Sequence, residues 1–175
     1  WNAEKMLENF KNGLASKPTG YVVIGVPGDD GYGPLVDEAF ADGMIVTAVD
    51  TELPRLQAKY QSRGFGYIGP DGWKQGEDMA KEILRRKEFK QGDRAFVWGL
   101  KRLESRGRRA RAMLEVFEKA GLTVDYLEIS DEVNKDAALG APVLAGYLAA
   151  NPDCKLIVLD HGALTGQTAN FLRGA

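Results

Sequence analysis

The sequence predicts an α/β fold built on parallel sheets, and three observations lead to this prediction. Six short apolar runs recur along the 175 residues. Helical patterns lie between most of these runs. The runs are apolar throughout, rather than alternating with polar residues, which is typical of strands that are covered on both faces of a parallel sheet. Alternation of such strands with helices indicates repeated strand–helix–strand units.

The chain begins with a helical pattern, in which Met6, Phe10 and Leu14 recur at four-residue spacing before Pro18. The predicted strands follow at residues 21–26, 44–49, 65–69, 94–100, 122–129 and 155–160. The predicted helices lie at residues 34–42, 72–88, 105–120 and 137–150. Between the second and third strands the chain is polar and contains Pro54, so we predict a loop over residues 51–64.

A glycine-rich stretch, PGDDGYG at residues 27–33, follows the first predicted strand in the way that a nucleotide-binding loop does. Its glycines do not have the order of the dinucleotide fingerprint. The adjacent Asp29 and Asp30 would also repel a phosphate, by about 1 to 4 kcal/mol for each charge pair. We therefore predict a turn, with Pro34 at the first position of the next helix. The two aspartates either border a ligand or only shape this turn.

Aspartates stand at or just past the ends of four predicted strands, at positions 29, 50, 71 and 160. Ligands of open parallel sheets bind beyond the carboxyl ends of the strands. Singly, each aspartate has a structural explanation, because Asp50 fits a turn and Asp71 fits the cap of the next helix. Together with His161, which follows Asp160, they predict a polar ligand site. We expect His161 to form hydrogen bonds, since no second His or Cys stands at metal-ligand spacing.

Two further side chains are predicted at this edge of the sheet. Arg106 falls on the sheet-facing stripe of the helix after the fourth strand, together with Met113 and Phe117. The first turn of a helix disfavours a cation by about 0.3 to 1 kcal/mol, so this position indicates an anionic or hydroxyl-rich partner. Trp73 falls in the first turn of the preceding helix, where its ring either lines a pocket or packs in the core.

Carboxylates, a guanidinium group and aromatic faces together suit a neutral polyol. Carboxylates accept hydrogen bonds from hydroxyl groups, guanidinium donates to them, and aromatic faces cover the apolar side of a sugar ring. We find no nucleophile elbow, no nucleophile–base pair and no metal-ligand motif, so we expect no catalysis, no cofactor and no metal. The formal net charge of −2 argues against a nucleic-acid surface.

Several stretches resemble the periplasmic sugar-binding proteins of ABC transporters, in the ribose-type group with the type I binding-protein fold. The stretches that resemble the family are YIGPDGWKQGEDMAKEIL, SRGRRARAMLEVFEKAG and LIVLDHGALTGQTANFLRGA, together with the strand–helix–strand region that leads to Asp50. The resemblance implies two parallel, three-layer α/β lobes with a sugar bound in the cleft between them. It implies ligand contacts at Asp50, at Asp71, at Arg106, and at Asp160 or His161.

The resemblance also implies where the lobes divide and which partners act. Residues 1–70 would belong to the amino-terminal lobe and residues 71–175 to the carboxy-terminal lobe. Family members are longer, so the chain would be a middle piece that is incomplete at both ends. Asn134 or Lys135 stands where the family often has an aromatic residue, which leaves the identity of the sugar open. The implied partner is the membrane permease of an ABC importer, and the implied location is periplasmic or extracellular.

Two other classes of function remain open at this point. The effector-binding core of a LacI-type transcriptional repressor has the same fold, and a helix-turn-helix segment ahead of the chain would decide for it. A sugar or nucleotide enzyme on a flavodoxin-like sheet is the third possibility, and turnover of a substrate would support it.

Overall fold

The computed structural model describes residues 2–174, which divide into two compact units. The first unit is Trp1–Asp71 with the segment Leu103–Arg106, and the second is Gly72–Arg102 with Gly107–Ala175. The short segment therefore belongs to the first unit, although the chain on both sides of it belongs to the second. Within the described residues, no helix combines the length and the apolar character needed to cross a membrane.

The first unit alternates helices and strands along the chain. Its elements are α1 (Ala3–Leu14), β1 (Gly20–Ile24), α2 (Gly28–Ala41), β2 (Ile45–Val49), α3 (Pro54–Tyr60) and β3 (Gly66–Ile68), with a 3-10 turn at Gln61–Arg63. The three strands are parallel and lie in the order β1-β2-β3. The predicted first helix is confirmed. Asn2 caps it by accepting a hydrogen bond from the Lys5 backbone N–H, and Phe10 and Leu14 are buried.

Helix α2 corrects the predicted glycine-rich turn. The helix begins at Gly28 and continues through Pro34, which lies inside it rather than at its start. A proline there removes one backbone hydrogen bond. However, the side chains of Tyr32, Val36 and Phe40 recur every four residues and are all buried. Packing of this stripe against the core favours the longer helix. The Gly, Asp and Pro residues that predicted a turn carry no information about this packing.

Helix α3 replaces the loop that was predicted over residues 51–64. Pro54 is the first residue of the helix, a position at which the missing N–H costs no intrahelical hydrogen bond. Leu56 and Tyr60, four residues apart, face the core, and the Tyr60 ring stacks on Phe40 at a centroid distance of 4.3 Å. The proline that indicated a loop is therefore the start of a helix.

The described helices of the first unit pack against one face of its sheet. Val46 and Ala48 of β2 are fully buried on that face. The opposite face carries Val22, Ile45 and Ile68, whose exposed fractions are 64%, 48% and 73%. This apolar surface, which we call the open sheet face, contrasts with the expectation that both faces are covered.

The second unit contains the remaining elements. These are α4 (Gly72–Arg86), β4 (Arg94–Gly99), α5 (Arg108–Lys119), β5 (Thr123–Glu128), α6 (Asp131–Lys135), α7 (Ala141–Ala150), β6 (Cys154–Leu159), α8 (Gly162–Gly166) and α9 (Thr168–Gly174), with a 3-10 turn at Ala137–Gly140. The strands are again parallel, in the order β5-β4-β6. The predicted strand positions agree with the observed strands in both units.

The second unit has helices on both faces of its sheet. Along β4, Val97 faces the core formed with Met113 of α5. Phe96 and Trp98 point the other way, and the Phe96 ring stacks on Tyr147 of α7 at a centroid distance of 4.0 Å. The central strand is buried on both sides, which gives the three layers that the sequence predicted.

Candidate functional site

Asp50 occupies a strained position at the carboxyl end of β2. Its φ is 63°, in the left-handed region that residues other than glycine rarely adopt. The Tyr67 hydroxyl lies 3.0 Å from the Asp50 carbonyl oxygen and 2.8 Å from that of Pro70, and so holds the two loops together. The Asp50 side chain is exposed and accepts a hydrogen bond from Thr51 Oγ1 at 3.2 Å. The strained backbone thus presents a carboxylate to solvent.

Asp71 is the last residue of the first unit before the chain enters α4. Its side chain is exposed. Because it follows Pro70, the loop that contains it is joined to the Asp50 loop through the Tyr67 hydroxyl. These two predicted aspartates therefore stand on neighbouring loops at the carboxyl ends of β2 and β3.

The position of Arg106 corrects the prediction that it lies in the first turn of a helix. Helix α5 begins at Arg108, and Arg106 belongs to the segment of the first unit that precedes it. Gly107, directly before the helix, is a poor helix former, which favours a start after it. Arg106 is half-buried. The first turn of α5 instead carries Arg108, Arg109 and Arg111, and among these Arg109 contacts Asp160.

Arg109 and Asp160 form a charge pair at the carboxyl end of the second sheet. The Nε and Nη2 atoms of Arg109 donate to Oδ1 and to the backbone oxygen of Asp160, both at 2.5 Å. The Asp160 side chain is 0% exposed and that of Arg109 is 32% exposed. Removing one partner of a buried pair costs about 3 to 5 kcal/mol, because the other charge is left without compensation. The pair is thus a fixed polar element at the carboxyl edge of the sheet, the edge at which open parallel sheets commonly bind ligands.

Gly99, the last residue of β4, leaves the space that this charge pair needs. A Cβ atom there would lie 3.3 Å from the Asp160 Oδ2 atom and 3.0 Å from the Cβ atom of Ala110. The Asp160 backbone N–H extends the ladder by donating to the Trp98 carbonyl oxygen at 2.9 Å. Backbone and side chain of Asp160 are therefore both positioned by β4.

The sequence pattern singled out Asp160 and Arg106 but not Arg109, and the ligand-binding roles of Asp160 and Arg106 stay predictions. The signal was present, because Arg109 lies four residues before Met113 and therefore on the same side of α5. Arg106 fits the same stripe but lies further from Met113 along the chain. The two arginines differ in that α5 begins at Arg108, so Arg109 lies within the helix and Arg106 precedes it. In the structure, Arg109 forms the charge pair with Asp160.

His161 and Asn134 lie near helix termini of the second unit. His161 directly precedes α8, and its carbonyl oxygen accepts hydrogen bonds from the backbone N–H and the hydroxyl group of Thr165. Asn134 lies in α6, which Ser130 caps. Both side chains are half-buried. Ligand-binding roles for them stay predictions.

Trp73 lies in the first turn of α4, on a groove between α4 and α5 with a volume of about 220 Å³. Ala112 and Val116 contribute apolar surface to this groove, and two glutamates and two lysines complete its lining. A stacking role for Trp73 against a sugar stays a prediction. Within residues 2–174, no group of three or more His, Cys, Asp or Glu side chains is arranged to hold a metal ion.

No protein-family model matches the sequence, and no curated protein matches it. Solved structures do match. An ABC transporter solute-binding protein from Burkholderia multivorans gives a TM-score of 0.78 at 18% identity, over 98% of this chain and 59% of its own. A periplasmic solute-binding protein from Actinobacillus succinogenes with bound D-allose gives 0.75 at 21% identity, over 98% and 62%. A solute-binding protein from Burkholderia graminis in complex with D-arabinose gives 0.78 at 20% identity, over 98% and 56%.

The chain has the fold of the periplasmic sugar-binding proteins.

This likeness confirms the predicted parallel α/β fold and the predicted resemblance to sugar-binding proteins of ABC transporters. The chain spans 56% to 62% of the length of these sugar-binding proteins, while nearly all of it matches them. All three neighbours are solute-binding proteins of transport systems rather than enzymes. At identities of 18% to 21% the comparison establishes the fold.

Proposed function

We propose that this chain forms the binding part of a solute-binding protein, which captures a neutral sugar or related polyol and delivers it to an ABC importer. The proposal assigns no enzymatic step to the protein. Its partners are the sugar and the membrane permease of the importer, and its location is the periplasm or the outer surface of the cell.

The observation that carries the proposal is the geometry of Arg109. Three of its five guanidinium N–H groups donate to Asp160 and to Gln75, which leaves two donors for a ligand. Because Asp160 neutralises the positive charge, these donors suit the uncharged oxygens of hydroxyl groups better than an anion. The neighbours that bind D-allose and D-arabinose support the same class of ligand.

The two units then correspond to the two lobes, divided near residues 70 and 71. In the first lobe, the exposed carboxylate of Asp50 would accept hydrogen bonds from sugar hydroxyl groups. In the second lobe, Arg109 takes the role that the sequence suggested for Arg106, beside Asp160. Asp71, Trp73, Asn134 and His161 are the proposed flanking contacts.

Calorimetric titration of the whole protein with D-allose, D-arabinose and D-ribose tests this function. We expect at least one sugar to bind, and we expect Arg109→Lys to weaken it at least tenfold, because a lysine cannot form the two-point contact with Asp160. Arg86→Lys is the matched control, since Arg86 pairs with Glu82 on the surface of α4. Absence of binding by every sugar, or equal affinity of the Arg109→Lys variant, would reject the proposal.

The neighbours are transport proteins and do not favour the repressor alternative. The proposed site would nevertheless serve an effector sugar equally well. Binding of the sugar-loaded protein to a reconstituted importer separates the two functions, because a repressor core would not stimulate transport.

A further inference from the structure

Helix α4 approaches the backbone of α5 unusually closely beside the candidate site. Gly76 of α4 is buried, and a Cβ atom at this position would lie 2.3 Å from the carbonyl oxygen of Arg109. Only a residue without a side chain permits this approach. The start of α4 is therefore in close contact with the first turn of α5, from which the Arg109 side chain extends.

The residue before this glycine reaches the Arg109 side chain itself. The Oε1 atom of Gln75 accepts a hydrogen bond from Nη1 of Arg109 at 3.1 Å. Guanidinium has no acceptor, so the oxygen of the Gln75 amide must face it. The two contacts with Asp160 involve Nε and Nη2, which lie on one edge of the guanidinium group. Gln75 supplies the only contact to the third nitrogen, Nη1, within the described residues.

Two contacts on one edge still allow the guanidinium group to rotate about the line that joins these two contacts. A third contact, at Nη1, removes this motion and fixes the direction of the two N–H groups that remain for a ligand. Preorganised donors bind more tightly because less conformational freedom is lost on binding. We propose that Gln75 is a positioning residue, which sets the orientation of Arg109 for sugar binding. This assignment rests on the proposed function, since it concerns the same site.

The test compares three variants of the whole protein, titrated with D-allose and D-arabinose. Gln75→Met keeps the length of the side chain but removes the acceptor, so we expect about fivefold weaker binding, the effect of losing one ordinary hydrogen bond. Gln75→Glu keeps an acceptor for Nη1 and should rescue the affinity. In an Arg109→Lys background, Gln75→Met should have no further effect, because it acts through the guanidinium. Gln57→Met, a change at a helical glutamine of the first unit, is the control and should leave affinity unchanged.

A second readout needs no ligand. Contact with Gln75 hinders rotation about the Cζ–Nη1 bond of Arg109, so ¹⁵N-edited spectra should show slowly exchanging Nη1 protons that are lost in Gln75→Met and retained in Gln75→Glu. If Arg109→Lys weakens binding but Gln75→Met does not, the positioning role is wrong and the proposed function stands. If no sugar binds any variant, the proposed function fails, and the spectra alone decide whether Gln75 orders Arg109. Identical Nη1 spectra for the wild type and Gln75→Met would overturn the assignment in either case.

Discussion

The carboxylate of Asp29 in α2 accepts a hydrogen bond from the backbone N–H of Leu56 in α3, at a distance of 2.8 Å. Leu56 is the third residue of α3, and the residue before this helix, Leu53, provides no capping side chain. Asp29 therefore supplies the helix cap from a distant part of the chain. Burial raises the pKa of the Asp29 carboxyl group, and the hydrogen bond from Leu56 partly opposes this effect.

We expect Asp29→Ala to lower the free energy of unfolding by about 1 kcal/mol, because α3 loses its cap. Asp29→Asn keeps an acceptor for Leu56 and removes a buried charge, so it should be at least as stable as the wild type at neutral pH. Urea denaturation measures both effects. Asp30→Asn, at an exposed carboxylate, is the control.

The same pair of residues predicts a pH dependence. A carboxyl group whose pKa is raised by folding stabilises the native state at low pH, and that contribution is lost as the pH rises through the folded-state pKa. The wild type should show this loss on the alkaline side of the ordinary Asp value of 3.8, and Asp29→Asn should not. Parallel stability curves for the two proteins would contradict the prediction.

Tyr147 and Asp125 predict the opposite pH behaviour. The Tyr147 hydroxyl donates to Asp125 Oδ2 at 2.7 Å, and Arg94 donates to the same oxygen at 2.6 Å. The bond from Tyr147, followed by that from Arg94, lowers the pKa of Asp125 below its ordinary value. Their stabilising contribution is therefore present above the unfolded-state pKa and is lost as the pH falls through the folded-state pKa.

Tyr147→Phe removes the hydroxyl group but preserves the stacking on Phe96. We expect it to lower the free energy of unfolding by about 1 kcal/mol at neutral pH, and by less in acid, where Asp125 is protonated in both proteins. Chemical denaturation of both proteins, from neutral to acidic pH, measures this difference in the free energy of unfolding. In an Asp125→Asn background the effect should shrink, and a difference that does not depend on pH would disprove the assignment.

Two glycines in helices of the second unit should respond in opposite ways to alanine. Gly76→Ala would place its Cβ against the Arg109 backbone, so we expect a loss of about 1 to 3 kcal/mol and weaker sugar binding. Gly146 lies in α7, and a Cβ atom at this position would meet no neighbouring atom of the described residues within 4 Å. Gly146→Ala should therefore raise stability by about 0.5 to 1 kcal/mol through helix propensity. Thermal denaturation of both variants decides, and equal effects would refute the packing argument.

The open sheet face predicts self-association of this 175-residue chain. Val22 and Ile68 are largely exposed there, and exposed apolar side chains on a sheet face favour association. The double variant Val22→Thr, Ile68→Thr should bind less of a dye that recognises exposed apolar surface, and it should aggregate less than the wild type without loss of folding stability. Val23→Thr is the matched control on the buried face, and it should destabilise the fold. Light scattering that is unchanged in the double variant would show that this face does not drive association.

The positions of the strands could be predicted because their signal is local. Each observed strand lies within two residues of an apolar run in the sequence, as for β4 at Arg94–Gly99 and β6 at Cys154–Leu159. Buried parallel strands need apolar side chains on both faces, so the run of residues is itself the signal. For the same reason, the aspartates that follow the strands could be placed at the sheet edge.

Helix α3 and the arginine that pairs with Asp160 could not be predicted in this way. The cap of α3 is Asp29, which lies outside residues 51–64, so the local sequence does not reveal it. Arg106 and Arg109 both fit the apolar stripe of α5. The stripe alone does not reveal that Arg109 pairs with the buried carboxylate of Asp160, 51 residues further along the chain.

The sequence by itself determined the class of fold, the six strands and the acidic residues at their ends, because hydrophobic periodicity and turn chemistry act over a few neighbouring residues. Tertiary structure alone decided where α2 begins, that α3 forms, and that Arg109 meets Asp160. Those outcomes depend on burial and on hydrogen bonds between distant residues. Packing of α2 outweighs the local preference of Pro34, and α3 takes its cap from Asp29 in another helix.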